Sequence, residues 1–168
     1  LQSYVIKRIE KMLEKRGRKI IGWDEILEGG LSENATVMSW RGTEGGIEAA
    51  MQKHDVIMTP GSDGMYLDWY QGDSKVEPVT IPSPPRYLAS TYNYNPVPDT
   101  IKALGLARHI LGVQCNNWSE YMYSNAKMEY MMYPRAIALS EIAWSPVSRK
   151  NFKDFCRRLD ANCVRLDE

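Results

Sequence analysis

"KIIGWDEILEGGLSENATVMSWRGTEGGIEAAMQKHDVIMTP", residues 19–60, decides the fold. It holds three short apolar runs, KIIGW at 19–23, TVMSW at 36–40 and DVIMTP at 55–60. Runs of this length, rich in Ile and Val and bounded by Gly, Asn, Asp and Pro, read as buried strands rather than helices. EGGLSENA, after the first, is a loop. EGGIEAAMQKH, 44–54, reads as a helix that opens on a Glu, favourable at the positive end of a helix dipole. Short apolar strands alternating with helices imply parallel strands and βαβ units.

The pattern continues on both sides. LQSYVIKRIEKMLEKR, 1–16, sets Val5, Ile6, Ile9, Met12 and Leu13 on one helical stripe, and Gly17 is placed to end that helix. Residues 61–98 form a long irregular stretch rich in Pro, Gly and Tyr. Loops of that length inside a domain are usually functional or disordered, and the aromatics argue against disorder. HILGVQCNNW, 109–118, contains a fourth strand. AKMEYMMYPRAIALSEIAW, 126–144, is a helix with Pro134 inside it, which predicts a kink or an offset start. NFKDFCRRLDANCVRL, 151–166, is a final amphipathic helix with Asn151 as N-cap. Four such strands fit an open doubly wound sheet, or half of a (β/α)₈ barrel, which takes ~250 residues when whole. No Gly-x-Gly-x-x-Gly or P-loop supports nucleotide binding.

The totals narrow the function. The chain has 168 residues, with 21 Lys+Arg against 21 Asp+Glu. A neutral chain without a basic stripe carries no electrostatic footprint for nucleic acid. No apolar run reaches the ~20 residues of a membrane helix. The sequence opens without Met, inside a helical pattern, so it reads as a fragment, and the lack of a signal peptide leaves the compartment open. Cys115, Cys156 and Cys163 are no disulfide framework, and with only His54 and His109 beside them neither a metal site nor any other cofactor is expected. Five Trp and ten Tyr against two Phe are the unusual counts, because amphipathic rings suit wet pockets and the faces of sugars.

Those rings cluster after the strands, the end at which ligands of parallel α/β sheets bind. Trp23 follows the first strand and Trp40 with Arg41 the second. Tyr66, Asp68, Trp69 and Tyr70 lie beyond the third, and Trp118 and Glu120 close the fourth. Each has a plainer reading. Trp23 suits a core edge equally well, Trp40 a core cap and Arg41 an ordinary ion pair. Asp68 can cap a turn, and Tyr66 can fill the core of its own loop. Trp118 and Glu120, one residue apart, face the same side if the backbone there is extended. His54 and His109 read as structural, YNYNPVP as loop packing, and the MEYMMY stripe as helix core.

In this order, Gly-Trp-Asp-Glu (22–25), Ser-Trp-Arg-Gly (39–42), Tyr-Leu-Asp (66–68) and Trp-Ser-Glu (118–120) resemble the β-N-acetylhexosaminidases of glycoside hydrolase family 20. Any one of these motifs alone is weak; the ordered set is specific, and the resemblance covers nearly the whole chain. It implies strands 5–8 of a TIM (β/α)₈ barrel, a half barrel over 1–168 with no second domain. It also implies substrate-assisted hydrolysis of terminal N-acetyl-β-D-hexosamine residues, in which the sugar's 2-acetamido oxygen attacks the anomeric carbon. By the same resemblance Tyr66 holds the acetamido oxygen, Trp23, Trp40 and Trp118 wall the sugar, and Asp68 and Glu120 accept from its hydroxyls. Trp69 is assigned to the rim.

The family's acid and its Asp partner stand in a His-x-Gly-Gly-Asp-Glu context on the fourth barrel strand. No such motif occurs here. Asp24 and Glu25 follow the fifth strand, so they are expected to hold neighbouring groups at the barrel rim rather than to act as the acid pair. The chain alone is therefore expected to be inactive. Its apolar strand edges are expected to meet either a second copy or an N-terminal half barrel. Family resemblance places the parent protein in a secreted, periplasmic or lysosomal setting with N-acetylhexosamine glycans as partners. Two other readings stay open: a non-catalytic carbohydrate-binding module, and an unrelated open α/β enzyme.

Overall fold

The computed structural model describes residues 1–166. They divide into two compact units, one of residues 1–62 and 96–114, the other of 63–95 and 115 onward.

The first unit carries helix α1 (Gln2–Glu14) and strands β1 (Ile21–Trp23) and β2 (Thr36–Ser39). Helix α2 (Glu44–Met51), strand β3 (Val56–Met58), helix α4 (Asp99–Ala103) and strand β4 (Ile110–Val113) complete it. The four strands are parallel and lie in chain order, β1-β2-β3-β4. A doubly wound sheet reverses its strand order at a switch point; this one has none, and sequential parallel order is what a barrel wall requires. The register runs Ile21↔Thr36, Val37↔Val56 and Val56↔Ile110. It slips by one residue after Val56, where Ile57 pairs with Gly112 and Leu111 is left over. A leftover residue of this kind turns its side chain out of the ladder, and Leu111 is exposed.

Alpha-1 ends where Gly17 adopts φ +66°, and the amide of Arg18 closes on the carbonyl of Leu13 at 3.0 Å. Of its predicted stripe, Ile6 and Leu13 are half-buried, while Val5, Ile9 and Met12 are exposed. Alpha-2 lies close on the sheet because its inner face is made of small residues. Gly46, Ala49 and Ala50 are buried, over fully buried Val37, Val56 and Met58. Ser39 Oγ accepts from the Gly46 amide at 2.9 Å and donates to the Gly42 carbonyl at 2.7 Å, so a strand-end side chain satisfies a donor in the first turn of α2. His54 and His109 meet the Ala35 carbonyl and Asp55, in structural roles.

The second unit is built on helices α3 (Leu88–Asn93), α5 (Asn125–Met132), α6 (Arg135–Trp144) and α7 (Phe152–Leu166). Its core joins Tyr92, Ala138, Phe155 and Leu159, with Leu88, Ile137 and Cys156 against them. The Tyr92 ring lies 4.8 Å from that of Phe155, and its hydroxyl accepts from the Asn151 amide at 2.7 Å. Asn151 Oδ1 caps α7 through the amide of Asp154 at 3.0 Å. The helix expected over 126–144 is two helices. Proline at 134 cannot donate and crowds the preceding turn, so α5 closes at Met132 and α6 starts afresh at Arg135. The MEYMMY stretch is less buried than its pattern implied: Met131 is enclosed, whereas Met128, Tyr130 and Tyr133 are exposed.

Among the described residues no helix is long and apolar enough to cross a membrane. Among the described residues no cluster of His, Cys, Asp and Glu has the makings of a metal site, and Cys115, Cys156 and Cys163 are free thiols.

Candidate active-site residues

The residues expected at the strand ends fall into two groups, one in each unit. In the first unit β1 ends at Trp23, and a tight turn, Asp24–Leu27, follows at once. Strand β2 ends at Ser39, which makes Trp40 the first residue beyond it. Trp23 and Trp40 are both half-buried. Asp24 is buried, and both of its carboxylate oxygens accept from the neighbouring strand end. Its Oδ2 accepts from the amides of Trp40 (3.0 Å) and Arg41 (3.2 Å), and its Oδ1 accepts from Arg41 Nε at 2.6 Å. The hydrogen bond to Asp24 holds the Arg41 guanidinium above its ordinary pKa, assisted by Glu28. Glu25 receives the indole Nε1–H of Trp40 on both carboxylate oxygens, at 3.1 and 3.0 Å. Asp24 and Glu25 therefore hold the 40–41 strand end. A groove of about 450 Å³ beside them is lined by Asp24, Glu28, Arg41, Glu44 and Glu48 and by no aromatic ring. It offers nothing for a sugar face to stack on.

The second unit brings Tyr66, Asp68, Trp69 and Trp118 together. Tyr66 and Asn116 pair as a parallel bridge, with the Leu67 amide donating to the Asn116 carbonyl at 2.7 Å and the Asn116 amide to that of Met65 at 2.8 Å. Two stretches distant in sequence are thus held in register. Tyr66 is buried and meets Trp69 and Trp118 edge to face, at centroid distances of 5.8 and 6.4 Å. Trp69 is covered on its face by the Arg86 guanidinium, 5.0 Å from the ring centre. Trp118 is 41% exposed.

Asp68 is 5% exposed. It accepts from its own amide and from that of Trp118, and its Oδ1 has no partner among the described residues. Burial raises its pKa above the ordinary carboxylate range. The two amides and Arg135 pull the other way, and Glu120 adds to the rise. Glu120 is exposed and stands in a turn, so the alternation expected of extended backbone stops short of it.

Arg135, at the start of α6, was not among the residues picked from sequence. It is fully buried and donates to the carbonyls of Leu67 (2.5 Å), Met131 (2.7 Å) and Arg86 (3.3 Å). Burial lowers its pKa to about 10, against the opposing pull of the Asp68 and Glu77 carboxylates, so it stays a cation at neutral pH. The available signal was a cation at 135 in PRAIALSEIAW, a segment whose one other charge is Glu141. Cys115 is pushed up to about 12 by burial and is a neutral thiol, unsuited to nucleophilic work.

A model of the glycosyl hydrolase family 20 catalytic domain matches residues 1–147. The chain is 57% identical over 167 residues, 99% of its length, to a β-hexosaminidase of Porphyromonas gingivalis. It is 33% identical over 141 residues, 83% of its length, to a β-hexosaminidase of Vibrio furnissii. It spans 21% and 23% of those curated relatives, about a fifth of their length. Among solved structures, a family 20 exo-β-N-acetylglucosaminidase of Vibrio harveyi, crystallised with N-acetylglucosamine, aligns over 99% of this chain and 26% of its own. Its TM-score is 0.91 at 29% identity. The β-hexosaminidase of Streptomyces plicatus aligns at TM-score 0.81 and 24% identity over 96% of this chain and 33% of its own, a likeness of fold.

Proposed function

From the premise that this chain belongs to glycosyl hydrolase family 20, we propose that it forms the C-terminal, sugar-binding part of an exo-β-N-acetylhexosaminidase barrel. The observation that carries the reading is Asp68. It is a buried carboxylate that accepts from the Trp118 amide while one of its oxygens has no partner among the described residues. A buried acceptor left unpaired is costly, and a ligand hydroxyl removes that cost. An adjacent aromatic face suits a pyranose ring.

In this reading Tyr66 donates to the acetamido oxygen of the bound sugar and holds it in line with the anomeric carbon. Fixing that geometry removes an entropic barrier. Attack by the acetamido oxygen expels the leaving group and makes an oxazolinium ion, which water reopens with retention of configuration. Asp68 and Glu120 accept from the hydroxyls of the terminal residue, which accounts for exo cleavage. In the second unit Trp118 supplies an apolar wall and Trp69 shapes the rim; in the first unit Trp23 and Trp40 supply apolar walls, with Arg41 beside Trp40. The general acid and its Asp partner are assigned to polypeptide outside these 168 residues. Asp24 is already committed to Arg41 and two amides, and Glu25 to Trp40.

The test is release of nitrophenol from a nitrophenyl N-acetyl-β-D-glucosaminide. Expected are turnover by the complete open reading frame that encodes this chain, no turnover of the matching β-D-glucoside, and none by purified residues 1–168. Hydrolysis by the purified chain, lost in Glu25→Gln, would overturn the placement of the acid. A chain that binds N-acetylglucosamine while the complete protein turns over nothing would favour a binding module instead.

A further inference from the structure

We propose that Glu25 is a positioning residue for the sugar-binding surface: it acts by orienting the indole of Trp40. The inference rests on the reading of Trp40 as a wall of the sugar site.

The tight turn that follows β1 places two consecutive carboxylates against one residue of the neighbouring strand end. Asp24 fixes the main chain of Trp40 by accepting its amide at 3.0 Å, and closes on Arg41 next to it at 2.6 Å. Glu25 fixes the far end of the same residue, with its two oxygens 3.1 and 3.0 Å from the indole nitrogen. A tryptophan has two side-chain torsions and one N–H. With the backbone held at one end and the N–H at the other, few ring orientations satisfy both bonds. A hydrogen bond to a carboxylate is charge-assisted, roughly twice as strong as a neutral one. A ring set before the ligand arrives spares the ordering cost that binding otherwise carries.

The experiment is a double-mutant cycle in the complete open reading frame, using Glu25→Leu, Trp40→Phe and both together, with Glu25→Gln and Trp40→Ala as controls. Trp40→Phe keeps an aromatic wall and removes the indole N–H that the Glu25 carboxylate accepts. Expected is a fall in kcat/KM on the order of tenfold for Glu25→Leu, the worth of one charge-assisted hydrogen bond. Glu25→Gln, which keeps one acceptor, should lose no more than about threefold on the same reasoning. In the Trp40→Phe background both Glu25 substitutions should have no further effect, and the near-UV circular dichroism of Glu25→Leu should change with its melting temperature held. Equal losses in the two backgrounds overturn the inference. If Glu25→Leu does not fold, the Glu25→Gln cycle decides by the same criterion. If Trp40→Ala leaves kcat/KM intact, the reading of Trp40 as a wall fails, a result separable from any outcome at Glu25.

Discussion

Arg135, with no exposed surface, donates from Nη2 to the main-chain carbonyl of Leu67 at 2.5 Å. Leu67 lies between Tyr66 and Asp68, so one buried guanidinium holds the segment that carries both proposed ligand contacts. The same cation donates to Met131, in the last turn of α5, and to Arg86, which covers Trp69. Arg135→Met keeps the stem and removes every donor. The expected loss is about 3 kcal/mol, because three carbonyls are stranded together. Arg135→Lys should rescue little of it, since an ammonium is a point charge and the planar fork reaches several acceptors at once. Urea unfolding followed by tryptophan fluorescence measures the loss, and a change below about 1 kcal/mol would refute the role on the same scale.

Asp68 has its pKa raised, chiefly by burial. The folded state therefore takes up a proton at a higher pH than the unfolded chain does. Between that raised pKa and the unfolded carboxylate value of ~3.9, the folded form binds more protons, so this group's contribution to stability grows as pH falls and shrinks as pH rises. Asp68→Asn removes the titration. The stability difference between variant and wild type should then depend on pH across that window, with the variant favoured most at neutral pH. Sugar affinity should move the opposite way, since the ionised carboxylate is the stronger acceptor for hydroxyls. Urea midpoints from pH 4 to 8 with N-acetylglucosamine titrations check both. A flat difference would show that Asp68 does not titrate in that range.

The places of the strands were legible in the sequence because they follow from period and spacing, whereas the residues left a doubly wound sheet and a half barrel both open, and the sequential order β1-β2-β3-β4 comes from the structure. KIIGW, TVMSW and DVIMTP are too short and too β-branched to be helices, and each sits in the observed sheet, trimmed by one to three residues. Helices α3 and α4 were not legible. Leu88–Asn93 and Asp99–Ala103 are short and lie among prolines, where composition says loop, and tertiary packing of Tyr92 and Ile101 decides instead. The candidate site was readable at the level of residue type after each strand. Its supports were not, because Arg135 meets Leu67 across 68 residues, a separation no local pattern encodes. Position after the fifth strand was enough to expect Asp24 and Glu25 to hold neighbouring groups, but which groups, Trp40 and Arg41, only their contacts show.

Gly46 tests the packing of α2 on its sheet. A Cβ there would lie 2.7 Å from Met58 Sδ, 3.1 Å from Val56 Cγ1 and 3.2 Å from Ser39 Cβ, all in a fully buried layer. Alanine has the better helix propensity, by ~1 kcal/mol. Overpacking of a full core costs about 1–3 kcal/mol, so packing should win and Gly46→Ala should be destabilising. A melting temperature at or above that of wild type would mean that the methionine sulfur yields freely. The same substitution at Gly105, where a Cβ meets nothing within 4 Å but φ is +67°, isolates backbone strain from crowding.

Tyr66→Phe separates the two readings of this residue that the sequence left open. As core filler, Tyr66 works through its ring, and both edge-to-face contacts, at 5.8 Å to Trp69 and 6.4 Å to Trp118, are made by carbon atoms that phenylalanine retains. As the donor to the acetamido oxygen it works through its hydroxyl, which phenylalanine lacks. Loss of the group that holds the acetamido oxygen in attack geometry lowers kcat on the order of 10²-fold. The expected result, in the complete open reading frame, is a fall of that order in kcat with the tryptophan near-UV signal preserved. The pattern should also be selective: a donor to the acetamido group matters only when the substrate carries one and that group takes part in the reaction. Unchanged kcat in a folded Tyr66→Phe protein would return Tyr66 to the core and leave Asp68 and Trp118 as the contacts on which the sugar site stands.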